Sequence, residues 1–120
     1  MIKDIIISAL GMLNLTSEAE KIESGEEKIT AEFLRLYNLV ISEINDVYRR
    51  EHATAPKATS IYDDACEFYG ISDRVIAYGV AAEYCITQGL DEAELWDERY
   101  KSALAMAKRK RISISARRLL

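Results

Sequence analysis

Few side chains in this sequence could do chemistry, and they do not converge. Asp63, Asp64 and Glu67 form an acidic cluster whose oxygens suit a hard divalent cation. The cluster lacks the sharp-turn glycine and the spaced ligands of a calcium loop, so a solvated acidic turn is the simpler account. His52 is the only histidine, and no neighbouring residue is placed to orient it as a general base. Cys66 and Cys85 stand 19 residues apart and outside any C-x-x-C pair. Apolar and aromatic neighbours (Ala65 and Phe68; Tyr84 and Ile86) mark them as reduced, buried thiols of a protein made in a cytoplasm. No phosphate-binding loop, dinucleotide fingerprint, nucleophile elbow or H-E-x-x-H helix occurs. The expectation is a chain with no catalytic residue and no site for a metal or cofactor.

Charge offers a better lead. The formal net charge is −4 over 120 residues, but it is unevenly spread. Residues 108–120 hold Lys108, Arg109, Lys110, Arg111, Arg117 and Arg118 and no acid, while all 20 acids lie in the preceding chain. Three readings of this basic end stay open. It is a solvated terminus that complements a helix dipole. It docks on an acidic protein surface, with Ile112 and Ile114 as apolar anchors. Or it touches nucleic-acid phosphates. The acidic body argues against the last as a main function, because it repels a polyanion.

These residues must be carried by a single domain, since 120 residues with 49% apolar and 30% charged content suit one globular core. The apolar segment Ile5–Leu15 has only a thin basic lead and no small-residue cleavage site, which speaks against a signal peptide. No run reaches the roughly 18 apolar residues of a membrane span.

Helical periodicity dominates. Ile5, Ile6, Ala9, Met12 and Leu13 predict a first helix over about 3–13, followed by a polar connection from Asn14 to Gly25. Ser24 and Glu27 make an S-x-x-E capping box for a long second helix. Its face is Ile29, Phe33, Leu36, Val40, Ile44 and Val47, widened by Tyr37 and Tyr48, and it ends near Arg50 or Glu51. Ser72 or Asp73 caps a third helix, with Val75, Gly79, Ala82 and Ile86 in line. Ala77, Gly79, Ala81 and Ala82 make it thin enough for another helix to approach closely. Gly89 stops it, and Asp91 with Glu94 opens a fourth helix striped by Trp96, Tyr100, Ala103 and Ala107. The short turn makes these two antiparallel neighbours.

Residues 52–71 stay open between strands, a turn and a loop that orders on assembly. Pro56 blocks a helix there, Thr59 to Tyr62 could be extended, and Asp63 to Tyr69 could be a helical turn. The period-two run Arg111-Ile112-Ser113-Ile114-Ser115 predicts an extended tail. The expected fold is all-α: a helical domain over 1–110 with four helices, then an extended basic tail over 111–120. Seven tyrosines, of which Tyr48, Tyr62 and Tyr69 could be half exposed, mildly favour a protein interface.

Residues 72–111 resemble the C-terminal helix pair of head–tail connector proteins of tailed bacteriophages, also called head-completion or adaptor proteins. The resemblance is carried by Ala77-Tyr78-Gly79-Val80-Ala81-Ala82-Glu83-Tyr84, by Gly89, and by Trp96-x-x-Arg99-Tyr100 followed by Ala103, Leu104 and Ala107. Ala9-Leu10-Gly11 in a first helix and Leu36-Tyr37 through Ile44-Asn45-Asp46 in a long one fit the same layout. The resemblance implies a structural virion protein, not an enzyme. It would join a ring of about twelve copies beneath the portal and extend the DNA channel. It would meet the portal protein, a stopper or tail-completion protein and other copies of itself, with DNA passing unbound and no membrane involved. Arg109, Lys110, Arg111, Ile112, Ile114, Arg117 and Arg118 are the expected contact with the portal or a neighbouring subunit. Two other classes remain: a small soluble helical adaptor or regulator that binds one host protein through the same tail, and an enzyme or metal-dependent protein that uses Asp63, Asp64 and Glu67.

Overall fold

The computed structural model describes residues 1–48, 57–65 and 71–119, with 47–48 and 108–119 described by backbone alone. The described residues form five helices and no strand: α1 Ile2–Met12, α2 Thr16–Glu23, α3 Glu27–Tyr48, α4 Asp73–Gln88 and α5 Ala93–Leu119. The fold is all-α, as the periodicity predicts.

The stop signals explain much of the layout. Asn14, at φ 57°, takes the left-handed conformation just past α1. Leu15 N–H then donates to Leu10 O and Asn14 N–H to Gly11 O, which satisfies the last free carbonyls. The same pair of bonds closes α2 through Gly25 (φ 79°), and α4 through Gly89 (φ 64°). Three tight stops of one kind fold the chain back on itself within a few residues.

Helix α2 corrects the sequence reading, which has a connection there. Its one buried residue, Ile22, is too weak a periodic signal to mark an eight-residue helix. Ser24 is correspondingly not the cap of α3. Its hydroxyl donates back to Lys21 O at 3.0 Å, so it closes α2, and the Ser24–Glu27 box does not form. The Asp91–Glu94 box is absent for a similar reason: α5 starts at Ala93, and Glu92 O accepts its first amide, from Trp96.

Helix α3 buries Phe33, Leu36, Tyr37, Val40, Ile41 and Ile44. It is long, but the helix at the centre of the packing is α4, which touches α1, α3 and α5. Val75, Ile76, Ala77, Gly79, Val80, Ala81, Ala82 and Cys85 are buried on several sides of α4. Small residues make that possible. A Cβ at Gly79 would stand 2.7 Å from Val40 Cγ1 and 2.9 Å from Tyr100 Cε1. The close approach expected of the small-residue helix is real, and Gly79 marks where α3 and α5 both press against it.

Residues 57–65 are turns rather than an extended segment. Their role is to hold α1 and α3. Ile2 N–H donates to Asp63 O at 3.0 Å and Lys3 N–H to Ile61 O at 2.8 Å, so this segment satisfies amides that the first turn of α1 leaves free. The Asn38 side chain on α3 grips Ala58 by both edges: Nδ2 donates to Ala58 O at 3.0 Å, and Ala58 N–H donates to Oδ1 at 2.8 Å. Ile61 is sealed in the core between these attachments.

The C-terminal end is a second correction. Helix α5 continues through Leu119, across the expected boundary at 110/111, so the predicted extended tail is helical over 111–119. Five alternating residues are a weak strand signal without a partner strand. A helix already nucleated gains one hydrogen bond for each residue it adds, and Ala, Arg and Lys propagate it well. In that register, positions 112 and 114 fall about 200° apart rather than on one face.

Candidate interaction surface

Of the residues that could do chemistry, Asp63, Asp64 and Cys85 fall among the described residues. Asp63 Oδ2 accepts from Thr59 N–H at 3.1 Å, Thr59 Oγ1 at 3.2 Å and Ser60 N–H at 3.1 Å. That carboxylate organises the turn that feeds α1. Glu67, His52, Cys66 and Tyr69 lie outside the described residues. Cys85 is buried on α4, and burial first, then the charge of Glu92, raises its thiol above the usual range and keeps it protonated. Among the described residues, no group of three His, Cys, Asp or Glu side chains is arranged to hold a metal.

An acidic face does form where α3, α4 and α5 meet. Glu43 feels the charges of Glu83, Asp97 and Asp46, and burial, then Glu83, raises its carboxyl above the ordinary range, with Lys101 opposing. Lys101 pairs with Asp97 at 2.8 Å. Beneath them lies Tyr100, whose hydroxyl is buried without a well-formed hydrogen bond. Burial, then the charges of Glu43 and Glu83, pushes that phenol well above its usual range. These groups set charge on the body surface.

The seven residues expected to make the interface, Arg109, Lys110, Arg111, Ile112, Ile114, Arg117 and Arg118, all fall on the last stretch of α5. Their backbone is placed by simple lengths. Helix α5 has 27 residues against 16 in its antiparallel partner α4. At 1.5 Å per residue it is about 40 Å long beside a partner of about 24 Å. The surplus is the basic stretch, and Ala107 is the last described side chain buried on this helix.

Sequence reasoning missed two apolar surfaces. The first is a groove of about 570 Å³ along α3, between Leu34, Asn38, Leu39 and Ser42 on one side and Lys57 and Ala58 on the other. Ile41 and Ala31 help to line it, Leu39 is 44% exposed, and Arg35 stands at its edge. The second lies on α5 beside α4, where Leu95 is 47% and Met106 67% exposed, with Tyr78, Glu98, Arg99 and Ser102 around them. Tyr78 and Trp96 rings meet there at 6.2 Å, and the Arg99 guanidinium covers Trp96 at 4.8 Å. A signal existed for both: Leu39, Leu95 and Met106 are large apolar residues that fall off the core stripes, as Leu90 also does. The groove itself carried none, because its second wall comes from a segment 20 residues away.

No family model, curated protein or solved structure matches this chain. No helix among the described residues is long and apolar enough to cross a membrane.

Proposed function

We propose that this chain is a structural subunit of a tailed-bacteriophage virion, an adaptor that docks beneath the portal in a ring and carries the DNA channel toward the tail. The observation that carries the reading is the charged overhang of α5. Six cations and no acid follow residue 107, where α5 outruns α4, on a body holding ten bases and 20 acids. An end of this kind suits docking on an acidic partner surface, with the portal or a neighbouring subunit as that partner. An acidic body suits a channel wall, because it gives DNA phosphates no counterion-release binding. The helix pair α4–α5 spans the segment on which the connector resemblance rests. In this reading the chain is made in the host cytoplasm, has no catalytic role, and ends at the head–tail interface of the virion, in contact with a stopper or tail-completion protein.

A second reading, a small helical adaptor that binds one host protein, uses the same basic end and forms no ring. Electron microscopy of particles separates the two, since a ring at a single vertex belongs only to the first. Deletion of residues 111–120 is expected to leave the helical body folded, by circular dichroism, while heads fail to join tails. Normal joining by the truncated protein would count against the docking role.

A further inference from the structure

The acidic face is drawn from three helices, and its charge is left unbalanced. Gly79 stands against Val40 and Tyr100. Glu43 follows Val40, and Glu83 follows Gly79, by about one turn, while Asp97 precedes Tyr100 by about one. The three acids therefore gather toward the end of the body where α5 begins, with Asp46 about a turn beyond Glu43. Lys101 is the cation set against them, and Asp97 already holds it at 2.8 Å. Glu43, Asp46 and Glu83 make no ion pair among the described residues. Beneath them, near Glu43, the hydroxyl of Tyr100 lacks the well-formed hydrogen bond that a buried polar group normally has, on a residue only 2% exposed. We infer that this face receives the basic end of α5 from a second copy of the chain.

Three observations select that occupant. The face lacks cations of its own: Lys101 is paired, and the guanidinium groups of Arg74 and Arg99 lie over the Tyr78 and Trp96 rings. The densest run of positive charge in the chain follows residue 107, six cations without one acid. That run cannot serve its own face. Helix α5 is continuous from Ala93 to Leu119, so Arg109, 12 residues past Asp97, stands about 18 Å along the axis and away from the acids. Docking also gives the Tyr100 hydroxyl a partner. A guanidinium or ammonium beside Glu43 favours the ionised carboxylate, which then accepts the Tyr100 O–H. A contact between two unlike ends is head-to-tail. The inference rests on the docking role given above to the basic end and names the surface that it grips; closure into a ring rests on the virion reading.

Sedimentation velocity on the full chain at low salt tests the contact. Asp46→Lys with Glu83→Lys spoils the face, and Arg109→Glu with Arg117→Glu spoils the basic end; circular dichroism checks that both variants fold. The wild-type mass is expected to rise with concentration and to lose that rise at high salt, where surface charges are screened. Each variant alone is expected to stay monomeric. An equal mixture of the two retains one good face and one good end, so it is expected to form a dimer and stop there. Asp46→Asn with Glu83→Gln removes charge at almost unchanged shape, and it is expected to lose the rise even where the lysine variant fails to fold. A wild type that stays monomeric, variants that associate like wild type, or a mixture of folded variants that stays monomeric would each overturn the inference. The virion reading fails on a different result, the lack of a ring in imaged particles. Rings assembled equally well from both variants would sink the contact and leave that reading standing.

Discussion

Helices α4 and α5 lie side by side and antiparallel, yet they use their surfaces in opposite ways. Helix α4 gives up side-chain volume so that three neighbours can close on it, and eight of its 16 residues are buried. Helix α5 seals Trp96, Tyr100, Leu104 and Ala107, leaves Leu95 and Met106 in water, and then outruns its partner. Contacts that hold the fold gather at the small-residue crossing, while among the described residues Leu39 on the outer side of α3 and Leu95 and Met106 on α5 stay exposed.

The largest expected effect breaks the crossing. Gly79→Val would force a branched side chain into space bounded by Val40 and Tyr100, at a cost of about 3 kcal/mol in chemical denaturation. Gly79→Ala sharpens the test, because helix propensity alone favours Ala by about 1 kcal/mol. A net loss with Gly79→Ala that shrinks when Val40→Ala is added would place the cost at this contact. Unchanged stability in Gly79→Val would mean that α3 and α5 do not press on α4 there.

A smaller effect is expected at the edge of the α3 groove. Asn38→Ala removes both hydrogen bonds to Ala58, worth about 1–2 kcal/mol together. Faster amide exchange at Ala58, with little change at Gly79, would show that this segment opens separately from the crossing.

The smallest effect concerns charge above Tyr100. A carboxyl whose folded pKa is raised favours the folded state when protonated. That contribution is present below the ordinary value of 4.5 and is lost as pH climbs through the higher folded value. Glu43→Gln, which cannot ionise, is therefore expected to raise Tm slightly at neutral pH and to lose its advantage in acid below 4.5. An equal gain at both pH values would assign the effect to packing instead of charge.

The basic end shows how far a candidate site can be read from sequence. Its charge was plain in Lys108 through Arg118, but its conformation was not. Alternation across Ile112–Ser115 is a local pattern, and the helix already running through Ala103 and Ala107 extends through it. The α3 groove was less legible still. Leu39 is visible as an apolar residue off the core stripe, but Lys57 and Ala58 become its opposite wall only through the bidentate grip of Asn38.

By itself the sequence determined the all-α class, the core positions Ile5, Ile6 and Ala9 of α1, Phe33, Leu36, Tyr37, Val40 and Ile44 of α3, and Val75, Gly79 and Ala82 of α4, the stop at Gly89 and the thinness of α4 around Gly79, whereas Ile86, expected in line with that α4 stripe, is instead 52% exposed. Periodicity, capping chemistry and side-chain size act within a turn or two of helix, so these can be read along one strand of text. Tertiary structure alone decided that α2 exists, that Ser24 closes one helix instead of opening the next, that residues 57–65 cap α1, and which apolar residues stay wet. Each of those depends on a partner distant along the chain, and such a partner is chosen only when the whole core closes and its buried amides and carbonyls must all be satisfied.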